Sequence, residues 1–314
     1  MKSVSVILST YNGEQYLTAL LDSLRSQTRQ PDEVLVSDDA STDRTLEIVR
    51  SYIGKYGLTN WHIIDHERNV GWRANFKRGI LSCSGDLVFP CDQDDIWDDR
   101  KIELMTAVME ENSNINVLAC RVRPFYEGEN EAYRADNAQK DGDLIKLLSL
   151  DGSDFLYTMR PGCAFCIRKD FARDIEPWWK ETYPHDAALW RFAALTGSLG
   201  LYGRQLVSFR RHGDNASARG TLTRESRIAD IDYYIDFFKQ LRAYLRQKGI
   251  LSDQRDSLTL DVDGWLSARR RLLIGETKRG DIRLISGGRR WYSTWRSPLV
   301  DLYFVLKPNG RLHA

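Results

Sequence analysis

Residues 1–98 hold four short apolar runs, separated by stretches with helical spacing, and three of them stop in a polar cluster. Val4–Ser9 reads as a buried strand ending in Thr10-Tyr11-Asn12, and Glu33–Ser37 as a second ending in Asp38-Asp39. Trp61–Ile64 is a third. Asp86–Phe89 is a fourth, running through Pro90-Cys91 into Asp92-Gln93-Asp94-Asp95-Ile96-Trp97. Between them, Leu17, Leu20, Leu21 and Leu24 share one helical face. Leu46, Val49 and Ile53 share another, in a helix that Ser41 or Thr42 can cap with Asp43 in its first turn. Phe76 and Ile80 mark a third helix. Strands alternating with helices predict an α/β fold, with a mostly parallel sheet and helices on both faces. Ligands of such sheets bind beyond the carboxyl ends of the strands. The three polar clusters therefore converge on one edge.

The cluster after the fourth strand carries the most chemistry. Asp92, Asp94 and Asp95 repel one another, and a divalent cation relieves that repulsion. Hard carboxylate oxygens suit Mg2+ or Mn2+, which also bind phosphate oxygens. The segment is a candidate metal–diphosphate site, the alternative being a solvated acidic loop that caps a helix starting near Asp98.

Further along, Ile102, Met105 and Met109 mark a helix, Val117–Val122 a strand, and residues 124–142 a polar loop over the site. Ala164–Arg168 reads as a strand, Ala187–Leu195 as a helix, and Val207–Phe209 as a last strand. From about residue 222 the pattern is helical only: Ile228, Ile231, Ile235, Phe238, Leu241 and Leu245 form a stripe that Gly249 ends, followed by helices near 264–276 and 290–306. The expected division is an α/β domain over 1–220, in two parts over 1–98 and 99–220, then a helical region over 221–314.

Lys and Arg number 45 against 44 Asp and Glu, a net charge of +1, which gives no case for nucleic acid. No stretch reaches the roughly 18–20 apolar residues that span a bilayer, and no secretory signal is expected. Five cysteines are an odd number. The single Cys163-Ala164-Phe165-Cys166 pair lies in a strand, so buried thiols are expected rather than zinc or a disulfide framework.

Six segments together resemble the family 2 glycosyltransferases: Val4–Asn12, Ser37-Asp38-Asp39-Ala40-Ser41-Thr42-Asp43, Asn69–Phe76, Asp92-Gln93-Asp94-Asp95-Ile96-Trp97, His185-Asp186, and Phe209-Arg210-Arg211-His212-Gly213-Asp214-Asn215. They cover about residues 1–220 in the family's order. Ala40 stands where many relatives have Gly. The resemblance implies a GT-A fold, which is Rossmann-like, and a nucleotide-sugar donor. The pairing of Asp92-Gln93-Asp94-Asp95 with His212-Gly213-Asp214-Asn215 is similar to the bacterial polysaccharide branch that includes rhamnosyltransferases, which favours dTDP-rhamnose over UDP-hexose or UDP-N-acetylhexosamine.

Under that resemblance Asp39 accepts the imide N–H of uracil or thymine, with Thr10, Asn12 and Glu14 beside the base, and Asp38 either shares the task or orders the turn. Asp94 is the first metal ligand, Asp92 the second and His212 a third or a diphosphate contact. Asp95, Arg73 and Asn75 face the donor. Asp186 is the general base, or else a helix cap; His185 tunes it or contacts the acceptor, and Trp97 contacts the acceptor. The resemblance makes 1–220 the catalytic domain, with 1–98 its nucleotide-sugar half and 99–220 its acceptor half. The reading implies an inverting transferase acting on a lipid-linked or oligosaccharide acceptor for a bacterial surface glycan. A nucleotidyltransferase lacks its Gly-rich loop here, and a non-catalytic scaffold would not need Asp94, Asp186 and His212 together. Arg269-Arg270-Arg271, Arg289-Arg290, Arg296 and Lys307, with Trp291, Tyr292, Trp295, Leu299, Leu302, Tyr303, Phe304 and Leu306, predict a tail lying on an anionic membrane, at the inner face of the bacterial cell membrane. The alternatives are packing on the catalytic domain or a homodimer contact.

Overall fold

The computed structural model describes residues 1–126, 142–150, 153–211 and 221–313. The chain forms two compact units: 1–148 with 158–212, and 149–157 with 213–314. Ser149–Tyr157 thus packs with the C-terminal helices, although it lies within the expected acceptor half.

In the first unit, β1 (Val4–Thr10), β2 (Glu33–Asp38), β3 (Trp61–Asp65) and β4 (Leu87–Asp92) alternate with α1 (Leu17–Arg25), α2 (Thr45–Tyr56) and α3 (Trp72–Ser82). These strands are parallel, in the order β3-β2-β1-β4. All seven residues of β1 are buried, as a central strand covered on both faces requires. The four leucines expected on one face of α1 are buried as well. On one face of the sheet, Gly79 of α3 lies so close to β1 that a Cβ there would sit 2.3 Å from Ile7 Cδ1.

The chain continues through β5 (Ile96–Trp97), α4 (Lys101–Glu111), β6 (Val117–Tyr126), β7 (Ile145–Leu147), β8 (Phe165–Arg168), α5 (Lys169–Ile175), α6 (His185–Thr196) and β9 (Leu199–Arg211). The sheet extends as β8-β6-β9-β5, with β7 also on β9. Here β8 is antiparallel to β4 and β6, β9 is parallel to β6, and β5 and β7 are antiparallel to β9. The sheet is therefore mixed rather than mostly parallel. Strands β4 and β8 are neighbours in space but distant in sequence, so no local βαβ pattern sets their direction.

Helix α2 starts at Thr45, so neither Ser41 nor Thr42 caps it. Ser41 Oγ is engaged elsewhere, and Asp43 accepts from Thr45 N at 2.9 Å and Thr45 Oγ1 at 2.5 Å instead.

The second unit holds α7 (Arg224–Gln247), α8 (Asp253–Ile274), α9 (Asp281–Gly287) and α10 (Ser297–Leu306). Thr223 and Ser226 form a capping box at the start of α7. Ile231, Phe238, Leu241 and Leu245 of the expected stripe are buried, whereas Ile228 and Ile235 are half-buried. Phe155 meets Phe238 edge-on at 6.4 Å. A short antiparallel pair, β10 (Thr221–Leu222) with β11 (Leu312–His313), interrupts the helix-only pattern. Among the described residues, no helix is long and apolar enough to cross a membrane.

Candidate active site

Strand register brings the polar clusters level. Thr10 pairs with Asp38, and Ser9 pairs with both Ser37 and Asp92. Asp38 orders the β2 turn: it accepts from Thr10 Oγ1 at 2.7 Å, Ser41 N at 2.8 Å and Ser41 Oγ at 2.6 Å. Asn12 N donates to Ser41 Oγ (2.9 Å) and Asn12 Oδ1 accepts from Thr42 N (2.8 Å), lacing the loops after β1 and β2 together. Asn12 and Ala40 both have positive φ, 47° and 61°. Glu14 is engaged by Arg44 N at 3.1 Å.

Asp39 is buried and accepts from Val70 N at 2.7 Å and Gly71 N at 2.9 Å, one bond on each oxygen. A carboxylate has about four acceptor sites, so capacity for a nucleobase N–H remains. Arg73 is exposed, with its guanidinium 4.4 Å from the Trp72 ring centroid. Asn75 does not reach the site. It is fully buried, donating to Ser9 Oγ (2.8 Å) and Ser37 O (2.9 Å) and accepting from Ser37 Oγ (2.5 Å), and so ties α3 to β1 and β2.

The acidic loop after β4 is held from two sides. Gln93 Oε1 accepts from Tyr11 N at 2.8 Å and Gln93 Nε2 donates to Tyr11 O at 3.0 Å, so this side chain closes the gap between the β1 and β4 ends. A Cβ at Gly13 would fall 2.3 Å from Gln93 Oε1. On the other side β5 pairs with β9, and Arg210 donates from its backbone N to Asp95 Oδ1 (3.2 Å) and from Nε to Asp94 O (3.0 Å). Its guanidinium lies 4.6 Å and 4.5 Å from the ring centroids of Tyr16 and Phe125.

Asp92, Asp95 and Cys163 bring one ligand atom each within 4.8 Å of one another. Asp95 is fully buried, and its Oδ2 has no hydrogen-bond partner among the described residues. Burial first, then the charge of Asp94, pushes the Asp95 carboxyl up to about 7, offset in part by a hydrogen bond from the Cys163 thiol. Asp92 is held well above the usual carboxylate range by burial and by Asp95, Asp94 and Asp186. Burial and the adjoining carboxylates also push the Cys163 thiol up, so it acts as a donor to Asp95 rather than as a thiolate ligand. Beneath lies Lys101, fully buried, donating to Cys163 O at 2.6 Å with its ammonium 3.2 Å from the Trp97 ring centroid.

This set fits a hard divalent cation. Crowded carboxylates disfavour their own ionisation, and a cation would relieve that condition. Asp92 and Asp94 are half-buried and so open to a ligand, whereas Asp95 is enclosed. His212 lies outside the described residues, as do positions 127–141 of the expected loop.

Asp186 sits in the first turn of α6, and the preceding Pro184 is the cap residue. Its Oδ1 accepts from Ala187 N at 2.7 Å. Its charge contributes to the field on Asp92. Two expected acceptor contacts are corrected. Trp97 is 3% exposed, because the β5 pairing turns it inward onto Lys101 and Phe89. His185 is buried, stacked on Phe76 at 4.0 Å and edge-on to Trp72 at 6.3 Å. A Cβ at Gly162 would lie 1.9 Å from its Nε2. Neither His185 ring nitrogen has a hydrogen-bond partner among the described residues, and burial lowers its pKa to about 4.

Sequence reasoning overlooked Gln93, Cys163, Lys101 and Arg210 as parts of the site. Gln93 and Arg210 lie inside the motifs that carried the resemblance. All five cysteines are buried and unbridged, but Cys163 belongs to the acidic cluster.

The profile of Glycosyl transferase family 2 matches residues 5–175. The chain belongs to glycosyl transferase family 2. An uncharacterized glycosyltransferase of Haemophilus influenzae is 27% identical over 244 residues, 74% of each chain. The human dolichyl-phosphate beta-glucosyltransferase is 30% identical over 145 residues, 43% of this chain and 45% of that one. Residues 1–349 of TarS from S. aureus, in complex with UDP-GlcNAc, share the fold with a TM-score of 0.63 at 18% identity, covering 98% of this chain and 82% of that one. This member of the family is accordingly a glycosyltransferase of GT-A fold with a helical C-terminal region.

Proposed function

We propose that this family 2 member is an inverting, metal-dependent transferase that moves L-rhamnose from dTDP-rhamnose to a lipid-linked glycan acceptor in bacterial surface polysaccharide synthesis. The observation that supports the transferase chemistry is the strand register, which brings the ends of β1, β2 and β4 level, with Asp39 after β2 and the Asp92–Asp95 loop after β4, together with the field of Asp186 on Asp92. Asp39 takes the base N–H, with Thr10, Asn12 and Glu14 alongside. Asp92 and Asp94 are the ligands that reach the surface, and a bound Mg2+ or Mn2+ there would neutralise the departing diphosphate. Asp95 and Arg210 brace the loop, and Arg73, exposed beside Trp72, contacts the donor. Asp186 removes the acceptor hydroxyl proton as that oxygen bonds to the anomeric carbon and the nucleoside diphosphate leaves from the opposite face. His185, neutral and buried, supports the α6 start.

The sugar assignment rests on the likeness of the Asp92–Asp95 and His212–Asn215 segments to rhamnosyltransferases. The TarS complex with UDP-GlcNAc supports UDP-N-acetylhexosamine as the second reading. A lipid-linked acceptor requires the enzyme at the cytoplasmic membrane surface, bound peripherally, and exposed apolar residues of α10 support that location.

Turnover of a nucleotide-sugar panel with and without EDTA tests the assignment. Metal-dependent release of one nucleoside diphosphate is expected. In Asp186→Asn, kcat should fall by roughly 10²–10⁴ with donor affinity retained. Full activity in EDTA, wild-type turnover in the Asn variant, or a retained anomeric configuration by NMR would each reject the corresponding part.

A further inference from the structure

The C-terminal unit contains a cavity of about 500 Å³ between α7, α8 and the 149–157 segment, and nothing in the catalytic chemistry uses it. That volume lies in the range of about 300–1,000 Å³ typical of small-ligand sites. Its walls carry the rings of Tyr157, Tyr233, Tyr234 and Trp265 and the charged groups of Arg227, Arg269 and Asp230. The three tyrosines are half-buried, so their rings line the cavity and still meet solvent.

The charges narrow the ligand class. Arg227 Nε bonds Asp301 Oδ1 at 2.8 Å, and Arg269 Nε bonds Asp301 Oδ2 at 2.7 Å, with Tyr292 Oη also on Oδ2 at 3.1 Å. Both guanidiniums are thus anchored on one buried carboxylate. Asp230 lies within the field of both arginines, yet pairs with neither among the described residues; partial burial raises its carboxyl. Two cations and two carboxylates sum to zero, so the cavity does not select an anion such as a diphosphate. An acyl chain would bury the Asp230 carboxylate without a partner, at high cost.

A neutral ligand with apolar faces and many hydroxyls suits such walls. Sugar C–H faces lie on aromatic rings, and vicinal hydroxyls can accept from a guanidinium while donating to a carboxylate. We propose that this cavity is a glycan-binding site that holds a short neutral oligosaccharide segment of the chain being extended. The class of ligand rests on the transferase reading above; the binding itself does not require turnover.

The test uses the full chain with rhamnotetraose, chitotetraose and maltotetraose as probes, read by saturation-transfer NMR and by isothermal titration calorimetry. At least one tetrasaccharide should bind. Asp230→Asn and Tyr234→Ala should each weaken it at least tenfold, with nucleoside diphosphate release from the donor unchanged. Asp230→Asn is nearly isosteric, at an exposed position on α7, and serves as the folded control if Tyr234→Ala is unstable. Absence of binding by all three probes, or binding that survives Asp230→Asn at wild-type strength, overturns the proposal. Loss of donor turnover in the wild type would instead reject the transferase chemistry and leave the binding result standing.

Discussion

Ala40 occupies left-handed backbone at φ 61°, between Asp38-Asp39 of the β2 turn and the serine that braces Asp38. Relatives with Gly at this position meet the same turn without a Cβ. An L-residue there costs about 1–2 kcal/mol, against which Gly loses more chain entropy on folding. Ala40→Gly should therefore raise stability by roughly 0.5–1 kcal/mol, seen as a higher urea midpoint at unchanged slope; a lower midpoint would show that the turn carries no strain. His185 makes the second prediction at this scale. Its folded pKa of about 4 lies below the ordinary 6.5 because burial disfavours the cation. Between those values the unfolded chain binds a proton that the folded chain refuses. The contribution is thus fully present above pH 6.5 and is lost as pH falls towards 4, on the order of 3 kcal/mol. His185→Phe should keep the stack on Phe76 and remove that slope, so the difference between wild-type and variant urea profiles across pH 7.5 to 4.5 isolates it. Parallel profiles would mean that the folded chain protonates His185 as readily as the unfolded one, so that burial does not lower its pKa. Trp97 and His185 were misread because adjacency to an acidic motif says nothing about which way a side chain turns.

At the scale of elements, the legible parts were those with a local signature. Strands β1, β2 and β4 read directly as apolar runs because they are covered on both faces, and α1 shows its leucine stripe. The starts of helices were less legible, since Ser41, a good cap by type, is drawn instead to Asp38. Strand β9 runs from Leu199 to Arg211, but Gly200, Gly203 and Arg204 break the apolar pattern, and only Val207–Phe209, towards its end, was visible. The two residues of β5 carry no signal at all, yet their pairing with β9 sets Arg210 against Asp94 and Asp95. Cys163 reaches the acidic cluster through a 3-10 turn over Gly162–Ala164, a contact that no spacing rule encodes. In the tail, the Arg269-Arg270-Arg271 run expected to face lipid is paired within the unit, with Arg269 buried and Arg270 and Arg271 half-buried. Arg269 pairs with Asp301, Arg270 with Asp232 and Arg271 with Asp281. Helix α10 explains why: Ser297, Asp301 and Phe304 point inward at helical spacing, and Asp301 binds α7 and α8 through the two arginines.

At the scale of the whole molecule, a net charge of +1 supplies no general attraction to an anionic bilayer. Membrane binding must then come from a local surface, and the outer face of α10, with Trp295 just before it, is a candidate. Trp295, Leu299, Leu302 and Leu306 are 70, 55, 50 and 73% exposed. Trp291, Tyr292 and Phe304, which composition had grouped with them, are buried. Arg289, Arg290, Arg296 and Lys307 are exposed in the same stretch of chain. Apolar side chains with cations nearby suit the headgroup boundary of an anionic bilayer, an attraction that weakens with salt. Ending the chain near residue 280 would be a poor test, because it removes Asp301 and leaves Arg227 and Arg269 buried without their partner, a loss of several kcal/mol. The double substitution Leu302→Glu with Leu306→Glu alters only the outer face. Full-length wild type should co-sediment with phosphatidylcholine vesicles containing phosphatidylglycerol, less so at high salt, and the double variant should stay in the supernatant with donor turnover intact. Equal sedimentation of both proteins, or of neither, would reject the membrane role of this face. A change from dimer to monomer in the variant, with no vesicle binding by either protein, would assign the face to a second subunit instead.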